Sequence, residues 1–220
     1  MSIISYAPKA KIMQLIEDII DLLSSDTSSI ENALIKAQVL AHKLGDADFK
    51  QWVNYELKGY PKDVERPPYR FLPITIMGTF SNGAYRHNDE VLPLMHLNNE
   101  IRDMLTTKKL TESIAVIESW SKNEKDLSVV VTPEFYPLLS KGLDNSYQVE
   151  RAWGKNSMGA MLQVTVEVRS RLLDFALQLS DKMPKEPAKD EIKQLSQNAA
   201  IGDLFKNTVF GDNTTIVVGS

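Results

Sequence analysis

The sequence predicts an α+β protein that is mostly helical, a helical bundle with a small antiparallel β element and a C-terminal β tail. Three observations support this fold class. Apolar residues recur with a helical period through residues 10–58. From Tyr69 the chain becomes rich in aromatic and β-branched residues, which favour strands. The composition changes again over residues 198–220, where Gly, Asn, Thr and Val dominate.

Length and composition exclude several classes of protein. The chain has 220 residues and no cysteine, so its core needs no disulfide, and a reducing cytoplasm is compatible with it. Its net charge of -4 gives no electrostatic footprint for nucleic acid, so we expect no nucleic-acid partner. We see no signal peptide and no apolar run that could span a membrane. We therefore expect a cytoplasmic protein without a membrane partner.

The first helices follow from periodicity and short loops. Residues 10–23 carry one apolar stripe, and a second stripe covers residues 30–44. A third helix is expected to end at Gly59, followed by Pro61. Because short loops favour antiparallel neighbours, we expect three packed helices over residues 10–58.

Capping residues mark the ends of these helices. Ser28 and Glu31 have the spacing of a capping box at the start of the second helix. Gly45 is the residue type that ends a helix in a left-handed conformation. Asp46 is a favoured N-cap for the third helix.

The third helix has an apolar face with one charged member. Five residues share this face at helical spacing: Phe49, Trp52, Val53, Glu56 and Leu57. We expect Trp52 to be buried. A carboxylate such as Glu56 on that face needs a partner, since an unpaired buried charge is costly.

The middle of the chain gives weaker signals. We expect a strand over residues 69–77 and a returning strand near 84–86 or 90–94, with Pro73 at a sheet edge. Further elements are expected in this order: helices at 97–105 and 110–121, a strand at 127–131, and a short helix opened by Thr132 and Pro133. Residues 157–168 alternate like a strand but also fit a helix, and we interpret 157–180 as one long helix.

The C-terminal region is expected to be separate. Pro184 and Pro187 end the long helix and begin a linker, which gives three segments: a globular domain 1–182, a linker 183–197 and a β-strand tail 198–220. Residues 207–210 and 214–218 are prone to form strands around a Gly-Asp-Asn turn. An isolated hairpin exposes its edges, so we expect homo-oligomerisation through this tail. The alternatives are that the tail adds an edge strand to its own domain or stays disordered. Its apolar contacts would be Val209, Phe210, Ile216 and Val217.

Two groups of polar residues are candidates for a function. The first is Glu56 with Tyr60, Tyr69 and Arg70, and the second is Arg169, Arg171 and Asp174 on the late helix. Glu56 could be a functional carboxylate, it could form a structural ion pair with Arg70 or Arg171, or its side chain could extend to water. Arg171 could bind a phosphate or a partner's carboxylate, or it could pair with Asp174 at spacing i, i+3.

Motifs for other chemistry are missing from the sequence. The three histidines, His42, His87 and His96, have no metal-ligand spacing, so we expect no metal and no cofactor. There is no phosphate-binding glycine motif and no G-x-S-x-G nucleophile motif. The sequence names no catalytic residue, and whether the protein is an enzyme stays open.

Two stretches of the sequence are distinctive as motifs. One is Trp52-x-x-x-Glu56-Leu57-x-Gly59-Tyr60-Pro61 with Pro68-Tyr69-Arg70, and the other runs from Val168 to Leu177. Both resemble the AbiTii domain family of bacterial abortive-infection and phage-defence proteins. The segment from Asn207 to Asn213 is also similar to the family's Gly/Asn-rich ends. The resemblance covers most of residues 10–182 but leaves 85–155 unmatched, and it carries no catalytic residues.

The resemblance implies a component of a bacterial anti-phage system. One hypothesis is an oligomeric sensor or assembly module, with a phage-derived or effector protein as a further partner. The other is a toxic effector enzyme that acts on a nucleotide or nucleic acid through Glu56, Tyr60, Arg70 and an arginine of the late helix. A buried, closed Glu56 pair would favour the first hypothesis, and an open pocket around it would favour the second.

Overall fold

The described residues form two compact units. The computed structural model describes residues 10–122, 128–144, 146–156, 159–183 and 199–211. The helical unit comprises, of these residues, 10–70, 111–122, 161–183 and 199–211. The sheet unit comprises 71–110, 128–144, 146–156 and 159–160. The chain therefore leaves the helical unit after Arg70 and returns to it twice.

Helices build the helical unit, and its three N-terminal members lie where periodicity predicts them. The helices are α1 (Ala10–Ser24), α2 (Ile30–Leu44), α3 (Ala47–Lys58), α5 (Ile114–Lys122), α7 (Gly159–Lys182) and α8 (Ala199–Phe210). A 3₁₀ turn, Pro68–Arg70, ends the first passage of the chain through this unit. The predicted apolar stripes are buried, from Ile16 and Ile19 on α1 to Leu34 and Leu40 on α2.

Three capping predictions concern α2 and the start of α3, and two of them are confirmed. Asp46 caps α3 by accepting a hydrogen bond from the Phe49 amide at 2.7 Å. Gly45 ends α2 in the left-handed conformation, with φ of 71°. The capping box at Ser28 is wrong, because the N-cap of α2 is Ser29, whose hydroxyl accepts from the Glu31 amide.

The two C-terminal helices test the remaining predictions for this unit. Residues 159–182 form the single helix α7, so the helical interpretation of this stretch is confirmed. The strand predicted over residues 207–210 is wrong, because these residues end α8. The second predicted strand, 214–218, and nearly all of the linker 183–197 lie outside the described residues. The division of the chain at residue 182 therefore stays a prediction.

The sheet unit holds two antiparallel sheets. Its strands are β1 (Phe71–Pro73), β2 (Thr75–Ser81), β3 (Arg86–Val91), β4 (Thr107–Lys109), β5 (Ser128–Val130) and β6 (Gln148–Lys155). The larger sheet has the order β3-β2-β6-β5, and β1 pairs with β4 in a two-stranded sheet. Two helices complete this unit: α4 (Asn99–Thr106) and α6 (Tyr136–Ser140).

The sheet unit departs from prediction more than the helical unit does. Tyr69 and Arg70 belong to a 3₁₀ turn and not to the first strand. The returning strand is Arg86–Val91, between the two predicted positions. Strands β4 and β6 were not predicted, although β6 is an inner strand of the larger sheet. Pro73 lies in a two-stranded sheet, where every strand is an edge, as expected.

One apolar cluster forms the core of the sheet unit. It joins residues from the strands to residues of α6 and the connecting loops: Ile74, Ile76, Leu92, Leu97, Val131, Leu139, Val149 and Ala152. Gly78 and Gly154 have no room for a Cβ atom against Leu92 and Ile74. The two glycines thus allow side chains to lie directly on the sheet.

Hydropathy gives one further fact about the helices. Among the described residues, no helix combines the length and the apolar character that crossing a membrane requires.

Candidate functional site

A buried carboxylate lies at the centre of a polar cluster in the helical unit. Glu56 on α3 is fully buried and forms an ion pair with Arg70 of the 3₁₀ turn, which is equally buried. Its Oε1 atom also accepts hydrogen bonds from the Tyr60 hydroxyl at 2.7 Å and the Tyr69 hydroxyl at 2.8 Å. The predicted partner Arg70 is therefore confirmed, and we call these four residues the Glu56 cluster.

Each member of the Glu56 cluster has further contacts that fix its position. The second guanidinium arm of Arg70 donates to the Glu112 carbonyl at 2.7 Å, and its charge lies 5.0 Å from the centre of the Tyr60 ring. The indole nitrogen of Trp52 donates to the Tyr69 hydroxyl at 2.8 Å. A charge that is buried with several donors costs much less than an unpaired one, so the cluster is stable as a unit.

The electrostatics of the cluster hold its protons in place. Burial, followed by the charge of Glu56, raises the pKa of Tyr60 and of Tyr69 far above the usual value for a phenol. Burial alone would lower the pKa of Arg70, but the charge and hydrogen bonds of Glu56 outweigh it and raise that pKa. A tyrosine hydroxyl with a raised pKa remains a hydrogen-bond donor at neutral pH. Tyr60, Tyr69 and Arg70 therefore all keep their protons near pH 7.

Gly59 explains the chain path that brings Tyr60 into the cluster. The residue follows α3 with φ of 95°, a conformation that favours glycine, but its ψ of 160° differs from the left-handed cap that we expected. An added Cβ atom would lie 2.5 Å from the Thr111 carbonyl oxygen. This close approach lets the Tyr60 amide donate to the same oxygen at 2.7 Å. Gly59 thus ties the end of α3 to the segment before α5.

The other side of Trp52 belongs to an aromatic core. Trp52 is buried as predicted, and its ring lies 6.4 Å from Phe49 and 5.8 Å from Phe205 of α8. Phe49 and Phe205 also contact Phe175 of α7. The three helices α3, α7 and α8 therefore meet at these rings, directly beside the Glu56 cluster.

Arg169 stabilises the end of another helix. Its guanidinium group donates to the carbonyl oxygens of Leu23, Ser25 and Ser28 at 2.9, 3.0 and 2.8 Å. These oxygens lie at the C-terminal end of α1 and in the turn that follows, where helix carbonyls lack partners and a cation is favourable. The contacts of Arg169 therefore stabilise the fold by satisfying backbone carbonyl oxygens.

Arg171 has a similar role at the end of α8. It forms an ion pair with Glu167 at 3.1 Å, one turn earlier on α7, and donates to the carbonyl oxygens of Thr208 and Val209. The predicted alternative partners do not hold, since Glu56 pairs with Arg70 and Asp174 is exposed. Like Arg169, Arg171 therefore uses its donors on helix-end carbonyls within the chain.

The predicted oligomerisation residues differ in their exposure to solvent. Val209 is fully buried within the helical unit, whereas Phe210 is 44% exposed. Ile216 and Val217 lie outside the described residues. The exposed apolar edge that we expected at Val209 is absent, because that residue packs in a helix and not in a strand.

A pocket beside the Glu56 cluster was not predicted from the sequence. It has a volume of about 470 Å³ and lies between α3, the turn after Tyr60 and α8. Four aromatic residues line it: Trp52, Tyr55, Tyr60 and Phe210. A sequence signal does exist, because Asp48, Gln51, Trp52 and Tyr55 lie at i, i+3, i+4 and i+7 of α3.

Metal binding has no support in the described parts of the chain. No group of three or more His, Asp or Glu side chains there is arranged to hold a metal ion. The candidate residues that the structure brings together are instead an ion pair with two tyrosines, one of which accepts a hydrogen bond from Trp52.

Comparison with known proteins assigns the chain to a family. The helical unit is a domain with a closed polar cluster. In it, the motif residues Tyr60, Tyr69 and Arg70 surround the buried carboxylate of Glu56. The AbiTii family model matches residues 14–201, so the chain belongs to the AbiTii family. This is a family of abortive-infection and phage-defence domains, and the match confirms the resemblance drawn from the sequence. No match was found among curated proteins or among solved structures.

Proposed function

We propose that this protein is a non-enzymatic, oligomeric sensor or assembly module of a bacterial anti-phage system, acting in the cytoplasm. Membership of the AbiTii family suggests the abortive-infection role. The observation that supports a module without catalysis is the closure of the Glu56 cluster. Glu56 and Arg70 have no exposed surface, and their donors and acceptors are used within the chain.

An enzyme needs a reactive group that a substrate can approach. The residues of the effector hypothesis do not offer one. Glu56 and Arg70 are fully buried, and the Tyr60 hydroxyl is bonded to Glu56 although its ring lines the pocket. The two late-helix arginines bind carbonyl oxygens. Catalysis by a buried carboxylate would require the cluster to open, which breaks a buried ion pair at a cost of several kcal/mol. The same residues are well suited to hold a domain in one conformation.

For assembly, we propose that the segment after Gly211 joins identical chains. Phe210 is the last residue of α8 and is partly exposed, and the sequence beyond it contains the apolar run Ile216, Val217 and Val218. An oligomer would give the sensor a way to respond collectively to a phage-derived protein or to recruit an effector protein. Closed symmetry makes an identical copy the commonest partner in such assemblies.

The structure sharpens the truncation that tests this proposal. A chain that ends at Met183 would lack α8, whose Phe205 and Val209 are core residues. Its fold would be destabilised whether or not the tail joins identical chains. A chain that ends at Gly211 keeps the whole of α8. We expect full-length protein to scatter light as a multiple of its 24.8 kDa chain mass and the shortened chain to scatter as one chain. Equal masses for both proteins would contradict assembly through the tail.

A substitution without truncation provides a matched control. Ile216→Ser with Val217→Ser removes the apolar side chains, and Thr214→Ser with Thr215→Ser changes two neighbouring residues conservatively. We expect only the first pair to lower the oligomeric mass and to abolish protection in bacteria challenged with phage. If that variant is a single chain in solution and still protects, the assembly role is wrong.

A further inference from the structure

The aromatic pocket of the helical unit has the ring arrangement of a cation site. Tyr55 and Tyr60 lie with their ring centres 5.1 Å apart, and Phe210 of α8 contributes a partly exposed ring. The Tyr55 hydroxyl accepts a hydrogen bond from the Gln51 amide at 2.8 Å, which holds that ring in position. The faces of aromatic rings carry negative potential and attract cations.

The same structure already contains one example of this attraction. The Arg70 guanidinium lies 5.0 Å from the centre of the Tyr60 ring. Tyr60 also lines the pocket, so a residue that binds a cation within the core faces the ligand space as well. Its hydroxyl is fixed on Glu56, and the ring cannot turn away without breaking that bond.

The charges around the pocket are mostly negative. Asp48 and Glu65 line it together with one cation, Lys206, which forms an ion pair with Asp48 at 2.9 Å. The hydrogen bond and charge of Asp48, with smaller contributions from Asp203 and Asp46, raise the pKa of Lys206. Two carboxylates and one ammonium group therefore line the pocket, and the ammonium group is already paired with Asp48.

Glu65 is the carboxylate available to a ligand. It is exposed, and it has no hydrogen-bond or ion-pair partner within the described residues. The turn that carries it is nevertheless fixed, because the buried Arg66 guanidinium donates to the carbonyl oxygens of Pro61, Lys62 and Val64. An unpaired carboxylate on a fixed turn beside aromatic rings is suited to bind a positive charge.

We propose that this pocket binds an organic cation, a guanidinium or alkylammonium group, with its charge against Glu65 and Asp48 and its carbon atoms on the rings of Tyr55, Tyr60 and Phe210. The pocket volume of about 470 Å³ falls within the range of small-molecule sites. Anionic ligands such as nucleotides are disfavoured, since their phosphates would meet the carboxylates. The lining residues all precede Gly211, after which the proposed assembly segment begins, so the site is complete without that segment.

Two sources can supply such a group, a free polyamine and a basic side chain of a peptide. Titration of the full-length protein with spermidine and, separately, with a blocked arginine dipeptide distinguishes them by calorimetry. We expect saturable binding of at least one, weaker at high salt because exposed charges are screened. Adenosine and AMP serve as comparisons for a stacking ligand without positive charge, and we expect neither to bind.

Three variants and one control locate the binding. Tyr55→Leu and Glu65→Gln should each weaken binding by about fivefold or more, since each removes one attractive contact to the cation. Lys206→Gln removes the competing ammonium group and frees Asp48, so it should strengthen binding by a few fold. Glu17→Gln makes the same change of charge on an exposed residue of α1 and should have no effect.

The opposite response of Lys206→Gln separates a cation site from general damage to the pocket. A variant that merely loosens the fold weakens binding, whereas only removal of a like charge strengthens it. The proposal is overturned if neither cation binds at millimolar concentration. It is equally overturned if adenosine binds as well as the cations do, or if Glu65→Gln and Glu17→Gln behave alike.

Discussion

The two units of this protein bury different kinds of side chain. In the described residues of the helical unit, four charged side chains are buried: Glu56, Arg66, Arg70 and Arg171. In those of the sheet unit, the buried polar side chains are uncharged: Thr79, Ser140 and Asn156. The sheet unit is therefore held by apolar packing, and the helical unit additionally depends on paired charge.

This difference predicts different responses to substitution. An apolar core loses stability in proportion to the atoms removed and the cavity that remains. A buried ion pair responds asymmetrically, because removal of one partner leaves the other charge buried and unpaired. The arginines that cap α1 and α8 extend this dependence, since each joins separate segments of the helical unit through backbone carbonyls.

The largest effect is expected when the central carboxylate is removed. Glu56→Ala leaves the Arg70 guanidinium buried without its partner and should lower the free energy of unfolding by about 3–5 kcal/mol. Residue-resolved hydrogen exchange should show the loss in the amides of α3 and α5. Glu17→Ala, at an exposed position, is the control. Equal protection in Glu56→Ala and the control would show that the ion pair does not hold the helical unit.

A smaller effect is expected from a cavity in the sheet unit. Leu139 of α6 is fully buried in the apolar cluster, and Leu139→Ala should cost about 2–4 kcal/mol. Hydrogen exchange should then increase in β2 and β6, whose side chains Ile76 and Val149 belong to the same cluster. An equal increase of exchange in α3 and α5 would show that the cavity in the sheet unit destabilises both units alike.

The sequence predicted the helical unit better because its signals are local. The stripes of α1 and α2 and the caps Gly45 and Asp46 are each visible within a few residues. The partner of Glu56 could also be predicted, since a carboxylate on an apolar face requires a cation and Arg70 follows closely. Only the α3 side of the pocket has such a local signal, because the pocket also needs α8, which is far from α3 in sequence.

The two main errors have separate physical causes. Strand β6 contains charged residues and Gly154, and its strand character comes from pairing with β2, a contact of long sequence separation. At the C-terminus, the strand propensity of Thr208 and Val209 was overridden by tertiary packing. Four buried residues of α8 have helical spacing when the window begins earlier: Ile201, Leu204, Phe205 and Val209.

The buried tyrosines provide a pH test of the helical unit. Tyr60 and Tyr69 have pKa values raised far above those of the unfolded chain, so they stay protonated in the folded state while the unfolded state ionises above pH of about 10. The folded state then binds more protons, and stability falls as pH rises. Each tyrosine should contribute a loss of about 1.4 kcal/mol per pH unit above that point.

Comparison with Tyr60→Phe isolates this contribution from other groups that titrate at alkaline pH. The variant lacks one of the two phenols, so its stability should fall less steeply than that of the wild type above pH of about 10. Urea unfolding at several pH values measures both slopes. Parallel slopes would mean that Tyr60 ionises as readily in the folded protein as in the unfolded chain.

The smallest effect is expected at the exposed ion pair, which tests whether burial or charge pairing explains the difference between the units. Lys206 and Asp48 lie 2.9 Å apart, but their side chains are 59% and 49% exposed, whereas Glu56 and Arg70 have no exposed surface. Water screens an exposed pair and solvates either charge when its partner is lost. Lys206→Gln should therefore leave the urea midpoint unchanged within error, while Glu56→Ala lowers it strongly. A large loss in Lys206→Gln would mean that paired charge itself, and not its burial, stabilises the helical unit.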